Sequence, residues 1–226
     1  MSEFQTWEDF LDSDVDGWSE HKLDDLFTER RERNRPTLPL LAVTGKYGVV
    51  DRDFLEKRDT SNADKSKYLR VVSGDLVYNT MRMWQGVSGL APKEGIVSPA
   101  YTVATPTEIM FSSYAGYLAK NEMLIQKFHQ NSQGLVDDTL NLKFPNFGGI
   151  LVKVPPLPEQ KKIASILTSV DKVIEKTQSQ IDKLQDLKKG TMNELLTKGI
   201  GHTEFKDSEL GGDSEELGGS SDKSII

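Results

Sequence analysis

The 226 residues contain no cysteine, which excludes a disulfide framework, a thiol nucleophile and a thiolate metal site. No apolar run approaches the roughly 18 residues that would span a bilayer. The opening stretch, MSEFQTWEDFLDSDVDGW, is acidic and lacks the basic start of a secretory signal. The cytoplasm is the expected compartment. Histidine is scarce, and His21, His129 and His202 stand apart without HExxH spacing, so zinc is not expected. The glycine pairs Gly45/Gly48, Gly86/Gly89 and Gly148/Gly149 have neither a GxGxxG nor a Walker context and read as turns. DSDVDG at 12–17 opens like an EF-hand loop through Asp12, Asp14, Asp16 and Gly17. Its twelfth position, which needs a bidentate glutamate, is Leu23. No asparagine–proline–proline–aromatic motif of the amino-methyltransferases occurs, and no cluster of nuclease acids. Neither a catalytic site nor a metal site is expected, so the chain reads as no enzyme.

What is present is unevenly charged. The net charge of −7 argues at first against nucleic acid, but its distribution reverses the argument. Residues 1–20 carry seven acids and no Lys or Arg, and residues 200–226 carry seven acids against two lysines. Between them, residues 21–156 hold eighteen basic and fifteen acidic side chains, and residues 157–199 hold eight and six. The acidic ends hide a mildly basic body, which permits DNA binding without demonstrating it.

The expected fold class is α+β: one mixed α/β globular domain followed by a long coiled-coil helix. Four segments are expected. Residues 1–17 form an acidic lead-in, 18–156 the globular domain, 157–199 the long helix and 200–226 a flexible acidic tail rich in Gly and Ser. Within the globular part, GWSEHKLDDLFTERRERN reads as helical in its later half, with Leu23, Leu26 and Phe27 on one face. PLLAVTGKYGVVDRDF reads as short strands about Gly45 and Gly48. KYLRVVSGDLVYNTMRMW gives two strands about SGD, and GIVSPAYTVATP gives another. SSYAGYLAKNEMLIQKFHQ reads as one helix. From Ile163 the apolar spacing changes: Ile163, Leu167, Val170, Ile174, Thr177, Ile181 and Leu184 recur at alternating steps of four and three. That is an a/d seam, narrower than the stripe of a helix packed on its own domain. Pro158 and Glu159 suit the first turn, and Gly199 marks the stop.

The polar inventory is that of a recognition surface. Arg30, Arg31, Arg33 and Arg35 crowd together; Lys46 and Tyr47 occupy a glycine-flanked turn. Lys57, Arg58, Lys65, Lys67 and Arg70 surround a polar loop, and Asn79, Arg82 and Gln85 stand next to Trp84. Arg, Asn and Gln can read base edges bidentately, while Lys and Arg neutralise phosphates. Taken singly, each is first of all a solvated surface charge.

Three stretches together resemble one half of a specificity subunit of a type I restriction–modification system. They are GWSEHKLDDLF, GDLVYNTMRMWQGVSGL…GIVSPAYTV and, most specific of all, PLPEQKKIASILTSVDKVIEKTQSQIDKLQDLKKGTMNELLTKGI. The resemblance covers roughly residues 18–210. It implies that 18–156 is a target recognition domain and 157–199 a spacer helix. It implies a non-catalytic subunit that carries modification subunits, which use S-adenosylmethionine, and an ATP-driven restriction subunit to double-stranded DNA. No cofactor is implied for the chain itself. Such subunits usually hold two recognition domains and two helices; here there is one of each. The seam then lacks its partner within the chain and is expected to pair with a second copy. About 40 helical residues are roughly 60 Å long, which suggests two identical domains reading a split palindrome. Phosphate contacts are expected from Arg30, Arg31, Arg33, Lys65 and Lys67, and base contacts from some of Lys46, Tyr47, Arg70, Asn79, Arg82 and Gln85. A coiled-coil assembly protein that never reads DNA remains a second reading. A third is an enzyme, such as a stand-alone nuclease or the detached recognition domain of a fused methyltransferase–nuclease.

Overall fold

The computed structural model describes residues 17–55, 64–136, 139–200, 205–208 and 211–214. The chain divides into two compact units, residues 1–166 and 167–226. The first ten residues of the long helix therefore belong to the globular unit.

The chain enters through strand β1 (Ser19–Lys22), which pairs antiparallel with β10 (Leu151–Val154) from Ser19↔Val154 to Lys22↔Leu151. One helical turn follows, α1 (Leu23–Leu26), begun by acids at its positive end and a bond from the Lys22 N–H to Asp25 Oδ2 at 3.0 Å. The helix expected to run on through the arginines stops there. Phe27 turns extended and starts β2 (Phe27–Glu29), because pairing with β9 (Tyr101–Pro106) gives its backbone partners and leaves Phe27 buried.

Strands β3 (Leu41–Thr44) and β4 (Gly48–Asp51) form the expected hairpin. The strands β5 (Leu69–Val71) and β6 (Leu76–Asn79) also form about the expected turn, but they do not pair with each other. β5 pairs with β8 (Gly95–Val97), while β6 lies between β7 (Ser88–Leu90) and β9 in the antiparallel order β2-β9-β6-β7. The segment expected to hold one strand holds two, β8 and β9. A turn at 98–101, in which the Tyr101 N–H donates to Ser98 O at 3.0 Å, redirects the chain at Pro99. One expected helix is likewise two, α2 (Ser112–Leu118) and α3 (Glu122–Asn131). Asn121 breaks the run by capping α3, its Oδ1 accepting from the Met123 and Leu124 N–H groups at 3.0 and 3.2 Å. The turn-rich FPNFG is a short helix, α4 (Phe144–Gly148), with proline in its first turn.

Strand alternation explains the layers. Leu76 and Tyr78 of β6 and Ala104 of β9 face a core shared with α1–α4, whereas Val77 and Val103 face a second core with Leu41, Val43, Val49, Val71 and Val97. The central sheet is thus covered on both faces. Phe147 anchors the helical side: its ring lies 5.2 Å from Tyr78, and 5.7 Å from both Phe27 and Phe128. On the other side the hairpin β3–β4 approaches β7 so closely that a Cβ on Gly89 would lie 2.7 Å from Gly48 Cα and 2.8 Å from Val49 N. Only glycine fits there.

The last helix, α5, runs unbroken from Leu157 to Lys198. Within the first unit its buried residues are Gln160 and Ala164. In the second unit, β11 (Phe205–Ser208) and β12 (Gly211–Ser214) pair antiparallel with register Phe205↔Ser214.

Candidate nucleic-acid interface

The arginine run leaves β2 directly beside Asp75, an acid only 2% exposed. Arg30 donates to Asp75 twice, Nε to Oδ2 at 2.8 Å and Nη2 to Oδ1 at 3.3 Å. Asp75 also accepts from the Val72 N–H at 2.7 Å and the Thr105 hydroxyl at 2.8 Å. Arg30 Nη1 reaches Glu32 at 2.8 Å, Glu32 takes Arg70 Nη1 at 2.7 Å, and Arg70 Nε reaches Glu94 at 2.8 Å. Hydrogen bonding to Asp75 raises the Arg30 guanidinium above its ordinary value, bonding to Glu32 raises that of Arg70, and Arg70 with Arg30 lowers the Glu32 carboxyl.

Two cations bound among three carboxylates make no basic patch. Arg30 and Arg70 hold the loop after β2 to the turns before β6 and β8. Arg31 is exposed but bonds Glu29 at 2.6 Å. The Asn79 Oδ1 accepts from the Met81 N–H at 3.0 Å and so shapes the turn after β6.

The remaining candidates come together. The Asn34 N–H donates to Ser66 O at 3.1 Å, which brings exposed Arg33 beside the segment carrying Lys65 and Lys67. Lys65 Nζ stands 4.8 Å over the Tyr68 ring. At the β3–β4 turn, Thr44 Oγ1 accepts from the Tyr47 N–H at 2.9 Å and presents Lys46 and Tyr47 outward. Tyr47 is 53% exposed, carries Lys46 Nζ at 4.9 Å, and meets Phe54, itself 61% exposed, edge-on at 5.6 Å.

The third group is the turn from Asn79 to Gly86. It is pinned inward by buried Met83, by Trp84 Nε1 donating to Met81 O at 3.1 Å, and by the Trp84–His129 ring contact at 5.5 Å. Gly86 closes the turn at φ 73°, where a Cβ would meet Ile125 Cδ1 at 2.7 Å, and Lys120 Nζ holds its carbonyl at 2.7 Å. Arg82 is half-buried and Gln85 exposed on this braced turn.

A chain of contacts links the three groups. Gly45 lies near Val87, where an added Cβ would stand 3.8 Å from Val87 Cγ2, and Tyr47 meets Phe54 edge-on. Arg52, in the turn ending at Phe54, shares with Lys67, Tyr68 and Tyr101 a cleft of about 590 Å³ along β3. Tyr101 in turn pairs with Asn79. The arrangement combines cations, exposed aromatic faces and a braced Arg/Gln turn, which suits the phosphates and base edges of a duplex. Arg52, Phe54 and Tyr101 were not singled out from the sequence. Arg52 and Phe54 follow GVVD where a chain leaving a strand exposes its side chains, the one local signal for them. Lys57 and Arg58 lie outside the described residues, as do Asp12, Asp14 and Asp16. Among the described residues no group of three His, Asp or Glu side chains could hold a metal ion, and no helix is long and apolar enough to cross a membrane.

On α5 the seam residues Leu167, Val170, Ile174, Ile181 and Leu184 are 37–64% exposed. Ile163 packs against the globular core, and the Thr177 hydroxyl donates back to Val173 O at 2.8 Å on its own helix.

Residues 15–186 match the family described as the type I restriction modification DNA specificity domain. The type I restriction enzyme MjaVIII specificity subunit of Methanocaldococcus jannaschii is 31% identical over 177 residues, covering 74% of this chain and 39% of that protein. The putative type I restriction enzyme MjaX specificity subunit of the same organism is 23% identical over 246 residues, covering 93% and 54%. The chain therefore spans about half the length, or less, of these curated relatives. The crystal structure of the HsdS subunit from Thermoanaerobacter tengcongensis has the same fold, with TM-score 0.52 at 15% identity over 84% of this chain and 47% of that one.

Proposed function

Because the chain belongs to the type I restriction–modification DNA specificity family, we propose that it reads a DNA sequence for such a complex and does no chemistry itself. The observation that carries this reading is the family match across the globular unit and most of α5, residues 15–186. The contiguous surface of Arg33, Lys65 and Lys67 beside Lys46, Tyr47, Arg82 and Gln85 supports it. In this reading the lysines and Arg33 neutralise phosphates and set register, and the braced turn places Arg82 and Gln85 on base edges. A second copy pairs through the exposed seam of α5, so two identical surfaces meet the two halves of a split palindrome. A modification subunit using S-adenosylmethionine and an ATP-driven restriction subunit are brought to that site.

The test is selection from a random duplex pool with the modification subunit present, followed by affinity measurements across a salt series. A palindrome interrupted by a fixed unread spacer is expected. Arg82→Ala should lose about 1–3 kcal/mol of discrimination at one position per half-site, whereas Lys65→Ala should weaken all duplexes alike and reduce the salt slope by about 1. Selected sites with two unlike halves would remove the symmetric dimer, and equal weak binding to every duplex would favour a scaffold that reads nothing.

A further inference from the structure

The turn that carries Arg82 and Gln85 is tied at its two ends to different elements. At its entry the Thr80 N–H donates to Ala100 O at 3.3 Å, and Thr80 O accepts from the Leu142 N–H at 2.8 Å. Its middle closes on itself. The Gln85 and Val87 N–H groups both donate to Arg82 O, at 3.0 and 3.2 Å, and the Gly86 N–H donates to Met83 O at 2.8 Å. At its exit Gly86 O accepts from Lys120 Nζ at 2.7 Å and, at the longer distance of 3.4 Å, from the Ser88 hydroxyl. Gly86 has the widest backbone freedom of any residue type, so the peptide after Gln85 could rotate if nothing held its carbonyl.

Lys120 is well placed to hold it. It stands in the link between α2 and α3, where its own N–H donates to Tyr117 O at 2.9 Å and the next residue, Asn121, caps α3. The side chain therefore starts from a fixed backbone. Partial burial pushes the Lys120 ammonium below its ordinary value, because a covered cation loses water. An apolar side chain of the same length would fill the space without that opposition. What the ammonium adds is a charge-assisted bond to the Gly86 carbonyl. We propose that Lys120 is a positioning residue for sequence discrimination: through Gly86 O it fixes the turn that presents Arg82 and Gln85 to base edges, without contacting DNA itself. The inference rests on the proposed function, in which that turn reads bases.

The test uses the full chain with the modification subunit, on the duplex it selects and on every single-base-pair variant of that duplex, across a salt series. Arg82→Ala and Gln85→Ala first mark the base pairs that the turn reads. Lys120→Met should lower discrimination at those base pairs by about tenfold, the scale of one bidentate contact, and leave the salt slope unchanged. In the free protein its amide shift changes should extend to residues 85–88. Lys127 is a matched control on α3, because its Nζ donates to Leu151 O of β10 at 2.8 Å. Lys127→Met should leave those base pairs discriminated as before. Lys120→Ala, with the same readouts, serves if the methionine variant does not fold. Unaltered discrimination, or an equal loss in Lys127→Met, overturns the proposal. So does a uniform loss of affinity with the salt slope reduced by about 1, which marks a phosphate contact. If neither Arg82→Ala nor Gln85→Ala relaxes any base pair, the turn reads no base and the proposal falls. A wild-type chain that reads no duplex would sink the proposed function and the discrimination that rests on it, while the free-protein shifts would still decide whether Lys120 holds the turn.

Discussion

Asp75 shows how much of an apparent DNA-binding signature is internal wiring. A buried carboxylate with four bonds from three partners (Arg30, Val72 and Thr105) leaves costly unpaired groups if removed. Asp75→Ala is expected to lose about 3–5 kcal/mol of unfolding free energy in urea titration. Arg31→Ala, which removes an exposed guanidinium, should leave it essentially unchanged. The sequence displays the cations of the interface but hides their partners, because Asp75 and Glu94 lie far along the chain from Arg30 and Arg70. Lys46, Tyr47, Lys65, Lys67, Arg82 and Gln85 were legible as polar groups on the connections between strands. Arg30, Arg70 and Asn79 have the same residue types, and nothing local in the sequence shows that Arg30 and Arg70 meet acids distant along the chain.

Among the elements, those governed by local signals were readable: the β3–β4 hairpin about its glycines and α5 behind its prolines. Those governed by distant partners were not. β5 and β6 adjoin one turn yet join different sheets, and α1 stops after one turn because Phe27 finds a partner strand at Tyr101–Pro106. The hairpin reaches its place only by crossing β7 at glycine. Gly89→Ala would drive a methyl group into the Gly48–Val49 backbone, which has no flexible side chain to yield. A loss of about 1–3 kcal/mol is expected, together with displacement of the Lys46–Tyr47 turn. Thermal unfolding measures the first, and chemical-shift changes confined to residues 44–50 would report the second. Wild-type stability with unchanged shifts would mean that the crossing is looser than its distances indicate.

For the whole molecule the decisive quantity is mass. The chain weighs 25.3 kDa, and light scattering over a dilution series is expected to give about twice that. Val170→Glu with Ile174→Glu should return the monomer value without unfolding residues 1–166, because both side chains are exposed and lie beyond that unit. A wild-type monomer at every concentration would leave the seam for a different partner. One further property follows from the pairing of β1 with β10. Ser19 and Val154 are partners across a ladder, so the strands that begin and end the globular fold run side by side. Everything between them forms a closed cassette with its two attachment points adjacent. Such a cassette can be lifted out and another set in its place with little strain on the chain that receives it, because the loop is already closed by its own hydrogen bonds. Under the proposed function, exchanging whole inserts between hosts would change the bases read in one event and leave the helix as it was.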